Sequence, residues 1–270
     1  MICNNCPHKC DINDAFSGIC KMRRVINGKI VNGNYGQVTS IALDPIEKKP
    51  LRQFSPGSRI LSVGSWGCNM FCPWCQNDSI SRGPANYRLF APEEIAEIAR
   101  EEAQNGNIGA AYTYNEALVG ADFVTDTAKL IRKSGLKNVL VTNGMASPEV
   151  FDRVLSYMDA MNIDLKTIDP EKYERIGGKY EVILRNIKEA AKKCHVELTT
   201  LIVPGFNDSS AEMEEEARII SQISEDIPLH ISRFFPAGNM KDAKPTDVGR
   251  IYELKEIAEK KLKYVYTGNC

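Results

Sequence analysis

From Arg59 onward, short apolar runs alternate with longer amphipathic runs along the chain. The apolar runs indicate buried strands, and the amphipathic runs have helical spacing with proline, acidic or glycine end signals. One such run, PEEIAEIAREEAQNG, begins at Pro92 with acidic residues and closes on Gly106. The predicted strands lie in the segments RILSVG (59–64), IGAAYTYNE (108–116), NVLVTNG (138–144), DAMNIDLK (159–166), HVELTTLIVPG (195–205), PLHISRFFP (228–236) and, as a last short strand, KYVYTGN (263–269).

This order predicts an α/β fold with a parallel sheet, because strands separated by helices pair through right-handed crossovers. Six such units predict a partial (β/α)6 barrel of the TIM type over residues 59–270. A doubly wound open sheet is the rival arrangement. It lacks support, because no G-x-G-x-x-G turn follows the first strand.

The first 58 residues do not follow the alternation. Residues 1–25 carry four cysteines and predict a small Cys-rich lobe held by metal. Residues 26–58 predict a strand hairpin, with two short strands around the turn residues Gly33, Asn34 and Gly36, followed by a polar connector that contains three prolines.

The fourth predicted strand has one polar face. In MNIDLK, Asn162, Asp164 and Lys166 alternate with apolar residues. A strand covered by helices is apolar on its helix side, so we expect these three side chains to point into the barrel. In the fifth strand, Glu197 and Thr199 repeat the pattern. A polar lumen indicates a wet or ligand-filled cavity, although an internal salt bridge between Asp164 and Lys166 is the plainer alternative.

Composition excludes several classes of function. A net charge of −1 gives no broad attraction to nucleic acid, and no apolar run approaches the roughly 20 residues that span a membrane. The start, MICNNCPHKC, lacks the apolar segment of a signal peptide, so we expect a cytoplasmic protein. In a reducing compartment, nine cysteines indicate metal ligands rather than disulfides.

Three of these cysteines, Cys68, Cys72 and Cys75, directly follow the first barrel strand with the spacing C-x3-C-x2-C. Three thiolates hold three irons of a [4Fe–4S] cluster and leave the fourth iron open to a ligand. S-adenosylmethionine offers such a ligand through its amine and carboxylate. The alternative is a zinc or electron-transfer site that a fourth cysteine completes, for example Cys194.

The second group, Cys3, Cys6, Cys10 and Cys20, has the spacing C-x2-C-x3-C-x9-C. Four thiolates close a site, whether it holds zinc or a second [4Fe–4S] cluster, and the spacing leaves both open. His8 lies inside the group and is a possible substitute ligand.

The cysteine motif, with Trp74 before its last cysteine, resembles the radical SAM superfamily. With VTNG, IDLK and VPGFND, nearly the whole chain resembles the pyruvate formate-lyase activating enzymes. CPHKC, ALDPIEKKPL, YTYNE and KYVYTGN are more similar to the radical SAM member of the AmmeMemoRadiSam system. The resemblance implies that S-adenosylmethionine is reductively cleaved to a 5′-deoxyadenosyl radical, which abstracts hydrogen from a substrate, here a glycyl-radical enzyme. It also implies a flavodoxin or ferredoxin as reductant.

The resemblance also implies roles for residues. Cys68, Cys72 and Cys75 would bind the cluster, and Trp74 would lie near the adenine. The remaining cofactor-binding candidates are Asn115 and Glu116 for the methionine amine, Thr142, Asn143, Asp164 and Lys166 for the carboxylate and ribose, and Thr199 and Val203 on the fifth strand. For Trp74 the plain alternative is packing, and for Glu116 it is a helix N-terminus. The alternative functions are modification of another peptide or a small molecule, a non-catalytic iron–sulfur electron carrier, or a zinc-held binding module.

Overall fold

The computed structural model describes residues 1–270 and contains twelve strands and eight α-helices. The strands are β1 Arg23–Ile26, β2 Lys29–Asn32, β3 Gln37–Val38, β4 Ser40–Pro45, β5 Arg59–Gly64, β6 Arg88–Leu89, β7 Asn107–Thr113, β8 Lys137–Thr142, β9 Ala160–Asp164, β10 His195–Ile202, β11 Leu229–Arg233 and β12 Val265–Gly268. The helices are α1 Asp78–Ser81, α2 Pro92–Glu101, α3 Ala121–Lys133, α4 Pro148–Leu155, α5 Pro170–Arg175, α6 Tyr180–Ala191, α7 Ser210–Ser221 and α8 Val248–Ala258.

The main sheet has eight strands in the order β12-β11-β10-β9-β8-β7-β5-β4. All neighbours are parallel except β4, which pairs antiparallel with β5. The two edge strands, β4 and β12, do not pair with each other, so the barrel stays open at one side. The predicted α/β fold and partial barrel are confirmed; β12 is the predicted last short strand, and β4 adds an antiparallel strand at the other edge.

The helices cover the outside of the sheet with their apolar faces. Helix α2 is representative: Pro92 begins it, and the Glu94 side chain accepts the backbone N–H of Ala91 at 2.6 Å. One turn apart, Ile95 and Ala99 are completely buried. This spacing explains why the amphipathic runs correctly predicted the helices.

The connector fills the lower, N-terminal end of the barrel. Ile46 and Leu51 are fully buried and pack inside against one small residue from each of several strands, for example Ala111 and Val139. The connector backbone is bound as well, because Asn162 Nδ2 donates to the carbonyl of Pro50 at 2.9 Å. The polar residues that were expected to line a wet lumen therefore form a lower set and an upper set. Those in the lower half bind the connector, and only the upper ones face the open rim.

The segment before the barrel pairs differently from the predicted hairpin. Strand β2 pairs with the earlier strand β1 across a turn at Asn27 and Gly28, both of which have positive φ angles. Residues 33–36 do separate two strands, as expected, but those strands do not pair with each other. Strand β3 pairs with β6, and β4 joins the main sheet.

The N-terminal lobe sits on the upper, C-terminal end of the barrel. The backbone N–H of Ser147, after β8, donates to the carbonyl of Asn5 at 3.0 Å. The Asn5 side chain in turn donates to the carbonyl of Leu118, after β7, at 3.0 Å. Both contacts bring the four N-terminal cysteines to the rim that carries the other three. None of the helices is long and apolar enough to cross a membrane.

Candidate metal and cofactor site

The loop between β5 and α1 carries Cys68, Cys72 and Cys75, whose side chains are partly buried and form no disulfides. Arg82, just after α1, holds this loop from one side. Its guanidinium donates to the carbonyl of Cys72 at 2.9 Å and to that of Met70 at 3.3 Å. Arg82 therefore fixes the backbone of the loop at Met70 and Cys72, between the first and second cysteines.

Asn115 holds the start of the same loop. Its Oδ1 accepts the backbone N–H of Ser65 at 3.0 Å, and its Nδ2 donates to the carbonyls of Trp66 and Gly67, each at 3.1 Å. The preceding residue, Tyr114, has a φ of 73°, an uncommon angle for a residue with a side chain. Both polar atoms of the Asn115 side chain are thus engaged with backbone. In this structure Asn115 positions the cysteine loop instead of facing the rim.

Glu116 is buried and links two strand ends. Its Oε1 accepts the Thr142 hydroxyl at 2.6 Å and the N–H of Leu118 at 2.9 Å, and its Oε2 accepts the N–H of Asn143 at 2.7 Å. Burial raises the pKa of Glu116, and these hydrogen bonds oppose the shift. Glu116, Thr142 and Asn143 therefore form one hydrogen-bonded group, as their positions at neighbouring strand ends predict.

Asn143 connects this group to the cysteines. Its Nδ2 lies 3.7 Å from Cys68 Sγ, and the backbone N–H of Met70 approaches the same sulfur at 3.4 Å. Burial raises the pKa of Cys68 and that of Cys72. A buried thiol of this kind ionises when a cation binds it, and the two N–H donors suit a sulfur that carries negative charge.

Asp164 and Lys166 form an ion pair of 2.8 Å at the top of β9. Burial alone disfavours the charge of Lys166, but the neighbouring Asp164 and Cys72 outweigh it and raise the pKa of the ammonium. The side chain of Asp164 is 35% exposed and that of Lys166 is 17% exposed, so the pair borders the open rim. The internal salt bridge considered from the sequence exists, and it stands beside the cysteine loop.

Three further candidates on or near the fifth barrel strand are packed or bonded within the protein. Trp74 is almost completely buried, with its ring 4.6 Å from that of Phe206. Thr199 donates its hydroxyl to Asn162 Oδ1 at 3.0 Å. Val203 is buried, and its N–H donates to Asn207 Oδ1 at 2.8 Å. Trp74 and Val203 therefore lie near the cysteine loop and the top of the sheet, whereas the Thr199 hydroxyl is hydrogen-bonded inside the barrel, away from the rim.

Some residues that organise the site carry no functional signal in the sequence. Arg82 carries none, because a single arginine after a loop has many ordinary uses. Asn69 directly follows Cys68; its carbonyl accepts the His8 ring N–H at 2.7 Å and its Oδ1 accepts the Asn143 amide at 3.1 Å. Asn207 donates to the carbonyl of Lys166 at 2.9 Å and so joins the tops of β9 and β10, although from the sequence it indicated only a turn.

The four N-terminal cysteines lie together. Cys3, Cys6, Cys10 and Cys20 line one small cavity. His8, the possible substitute ligand, uses its Nε2 to donate to the carbonyl of Asn69 at 2.7 Å. Neither cysteine group is drawn tightly enough around one point to hold a single metal ion.

Comparison with known proteins identifies the class. The model of the radical SAM superfamily matches residues 64–217. An uncharacterized protein of Methanocaldococcus jannaschii is 38% identical over 274 residues, which cover 99% of this chain and 80% of that protein. The crystal structure of Streptococcus suis SuiB bound to S-adenosylmethionine aligns with a TM-score of 0.61 and 14% identity, over 78% of this chain and 52% of SuiB. This chain belongs to the radical SAM superfamily.

Within that superfamily, the chain is similar to pyruvate formate-lyase-activating enzyme of Clostridium pasteurianum. The two are 26% identical over 174 residues, which cover 62% of this chain and 71% of the relative. Membership implies a [4Fe–4S] cluster and S-adenosylmethionine. The chemistry of the donor set at the rim fits both groups, since the loop carries three thiols, two N–H groups approach that of Cys68, and an ion pair and a buried carboxylate lie nearby.

Proposed function

We propose that this radical SAM enzyme acts as an activase, abstracting hydrogen from a glycine in a partner polypeptide. The observation that carries the proposal is the position of the three-cysteine loop. The loop lies at the upper rim of a barrel whose edge strands do not meet. Ligands bind at the C-terminal face of a parallel barrel, and the open side gives a peptide loop room to reach it.

The opening is restricted to the upper half, which directs a substrate toward the cysteines. Below, Gln53 of the connector donates its side-chain N–H to the Tyr266 hydroxyl of β12 at 3.2 Å. The connector therefore crosses the gap at the lower end of the barrel. Above, the aromatic rings of Phe71 and Phe235 are 42% and 49% exposed, respectively. Exposed aromatic rings at the edge of an opening are typical of surfaces that contact peptides.

We assign roles to the chain's own residues as follows. Cys68, Cys72 and Cys75 hold the cluster, which supplies the electron that cleaves S-adenosylmethionine to the hydrogen-abstracting 5′-deoxyadenosyl radical. Glu116, through Thr142 and Asn143, fixes the rim beside Cys68. Asp164 and Lys166 present one charge of each sign to the zwitterionic methionine end of the nucleotide.

The similarity to an activating enzyme supports a polypeptide substrate over a small one, and it extends over 62% of this chain. A one-electron donor such as flavodoxin or ferredoxin belongs to the same proposal. So does the division of the chain into a Cys-rich lobe (1–25), a hairpin and connector (26–58) and the barrel (59–270).

The first test measures cofactor cleavage. Protein reconstituted with iron and sulfide without oxygen is reduced and incubated with S-adenosylmethionine, and 5′-deoxyadenosine is quantified. We expect product from the wild type and from the control Cys194→Ala, because Cys194 lies between α6 and β10, away from the rim. Cys72→Ala should lose the product while keeping the fold. Cleavage retained in Cys72→Ala would contradict the ligand assignment, and no cleavage by a fully loaded wild type would favour an electron carrier.

The second test concerns the substrate. Candidate glycyl-radical proteins from the same source are prepared with glycine deuterated at the α-carbon and incubated with the enzyme. Mass spectrometry of the 5′-deoxyadenosine should detect one transferred deuterium and none from unlabelled partner. Transfer from a labelled free amino acid or from a residue other than glycine would overturn the activase proposal and leave radical SAM chemistry intact.

A further inference from the structure

Tyr114 has an unusual backbone conformation at the upper rim of the barrel. Its φ of 73° lies in the left-handed region, where a residue with a bulky side chain is rarely found. Such a conformation is unfavourable and persists only where the surrounding structure holds it. Glycine would adopt the same angle without strain. The tyrosine at this position therefore indicates that its side chain contributes something that glycine lacks.

The ring of Tyr114 lies against the inner face of the barrel wall. A Cβ added to Gly64, the last residue of β5, would lie 2.7 Å from this ring. Gly64 and Ile60 share a face of β5, because they are an even number of positions apart. Ile60 packs inside the barrel with Ile46 and Leu51 of the connector. The phenol ring therefore lies in the lumen, between the upper rim and the connector below it.

A buried ion pair holds the hydroxyl end of Tyr114. The hydroxyl donates to Asp44 Oδ2 at 2.7 Å. The same carboxylate accepts the Ser62 hydroxyl at 2.9 Å and pairs with Lys49 Nζ at 2.9 Å. The Lys49 side chain is only 2% exposed, and its ammonium lies 4.6 Å from the centroid of the Tyr114 ring. Burial acts to raise the pKa of Asp44, but its hydrogen bonds, first that of Tyr114, outweigh burial and lower the pKa, so the phenol is anchored to a charged acceptor.

The main chain at Tyr114 is joined to both ends of the cysteine loop. Its carbonyl accepts the side-chain N–H of Asn77, which lies just after Cys75, at 2.9 Å. The next residue, Asn115, accepts the backbone N–H of Ser65 at the start of the loop at 3.0 Å. A different φ at residue 114 would turn its carbonyl and the residue that follows, and so move both contacts. The backbone angle at Tyr114 therefore fixes the loop at two points.

We propose that Tyr114 is a positioning residue for the cofactor site: its hydroxyl, anchored to Asp44 in the barrel lumen, holds the strained backbone that places the cysteine loop. Through this anchor, the connector in the lower barrel controls the geometry of the rim above it. Without the hydroxyl, the φ of residue 114 relaxes, and the bonds that Asn77 and Asn115 make at the two ends of the loop are lost. The proposal concerns the binding and cleavage of S-adenosylmethionine and does not depend on a polypeptide substrate.

The first experiment determines the crystal structure of full-length Tyr114→Phe, which loses the hydroxyl and keeps the ring. We expect residue 114 to leave the left-handed region and the Asn77 side chain to lose its acceptor. The matched control is Tyr35→Phe, because the Tyr35 hydroxyl also donates to a carboxylate, that of Asp126 at 3.0 Å, but from a residue without a positive φ. The control should keep the positive φ at residue 114. A φ near 73° with an intact Asn77 contact in Tyr114→Phe would overturn the proposal.

Hydrogen exchange keeps the test decisive if a variant does not crystallise. In the full-length protein, mass spectrometry follows the exchange of the segment that contains Ser65, whose N–H is bonded to Asn115. This segment should exchange faster in Tyr114→Phe than in the wild type, because the hydrogen bond opens more often. Tyr35→Phe should match the wild type. Equal exchange in Tyr114→Phe and in the wild type would overturn the proposal.

Kinetics distinguish the anchor from simple packing of the ring. In the reconstituted, dithionite-reduced enzyme, Tyr114→Phe should raise the KM for S-adenosylmethionine by about three- to tenfold with little change in kcat, the factor expected for one lost hydrogen bond. Tyr114→Gly removes the whole side chain but adopts a positive φ without strain, so it should raise the KM less. If the ring acted only by packing, the larger truncation would have the larger effect, so a higher KM in Tyr114→Gly than in Tyr114→Phe would overturn the proposal. No cleavage by the wild type would count against the proposed function, while the crystal structure and the exchange would still decide the anchor.

Discussion

The binding of the connector inside the barrel gives a sharp test at a single residue, Glu197. Its carboxylate is fully buried and accepts the backbone N–H groups of Arg52 at 2.9 Å and Gln53 at 2.8 Å. His195 and His230 contact the same carboxylate at 2.9 and 2.6 Å. Replacing Glu197 by Gln keeps the size of the side chain, removes its charge, and turns one acceptor into a donor that faces other donors.

The pKa of Glu197 gives the size of the effect. Burial acts to raise it, but the two histidines and the two backbone N–H groups outweigh burial and lower the pKa from 4.5 to about 2. A lowered pKa means that folding favours the ionised carboxylate, which contributes about 2–3 kcal/mol after allowance for solvent screening. This contribution is complete above pH 4.5 and is lost as the pH falls toward 2.

The assay is urea unfolding of cluster-free protein, followed by circular dichroism at several pH values. At neutral pH we expect Glu197→Gln to lower the free energy of unfolding by about 2–3 kcal/mol. The control Glu215→Gln removes an exposed helix-surface ion pair with Arg218 and should leave the free energy of unfolding unchanged within experimental error. The reasoning is refuted if Glu197→Gln is as stable as the wild type, or if the gap does not shrink below pH 4.5.

Three further substitutions test how the cysteine loop is held. Asn115→Leu leaves the backbone N–H of Ser65 without its partner and removes one hydrogen bond from each of the carbonyls of Trp66 and Gly67, which Asn34 and Glu116 still bind, so the free energy of unfolding should fall by about 1–3 kcal/mol; an unchanged urea midpoint would contradict this. Gly67→Ala places an alanine at a φ of 93° and brings its Cβ to 2.7 Å from the Met22 side chain. It should therefore lower the stability more than Gly57→Ala, where φ is also positive but the space around the Cβ is open. Equal losses of stability would argue against the Met22 contact. Arg82→Gln removes the bonds to Met70 and Cys72, so the cluster absorbance should decay faster in air while the melting temperature changes little, and equal decay rates would refute that role.

The sequence predicted the parts of this protein that depend on local patterns. Apolar and amphipathic periodicity located the barrel strands and their helices, because each run must bury one face whatever its neighbours are. The pairing of β1 with β2 was not predicted, although Asn27-Gly28 is a strong hairpin signal and stands just before the segment that was interpreted as the hairpin. The turn residues at 33–36 were equally plausible from local composition.

The sequence predicted which residues lie at the site, but not which atoms their side chains contact. Strand ends identified Glu116, Thr142, Asn143, Asp164 and Lys166 as neighbours on one rim, because the carboxyl ends of parallel strands meet there. The alternation of polar and apolar residues also predicted which side chains of the fourth and fifth predicted strands point into the barrel. It does not tell what an inward side chain meets, since the connector that binds Glu197 is distant in sequence.

The central claim is that Cys68, Cys72 and Cys75 leave one iron of the cluster open to S-adenosylmethionine. Electron–nuclear double resonance on the reduced, reconstituted enzyme tests it most directly, with nucleotide labelled at the amine nitrogen or the carboxylate of its methionine end. The account predicts a hyperfine coupling between the labelled atoms and the cluster. A fully loaded cluster that shows no such coupling, with a protein side chain on its fourth iron, would contradict the account.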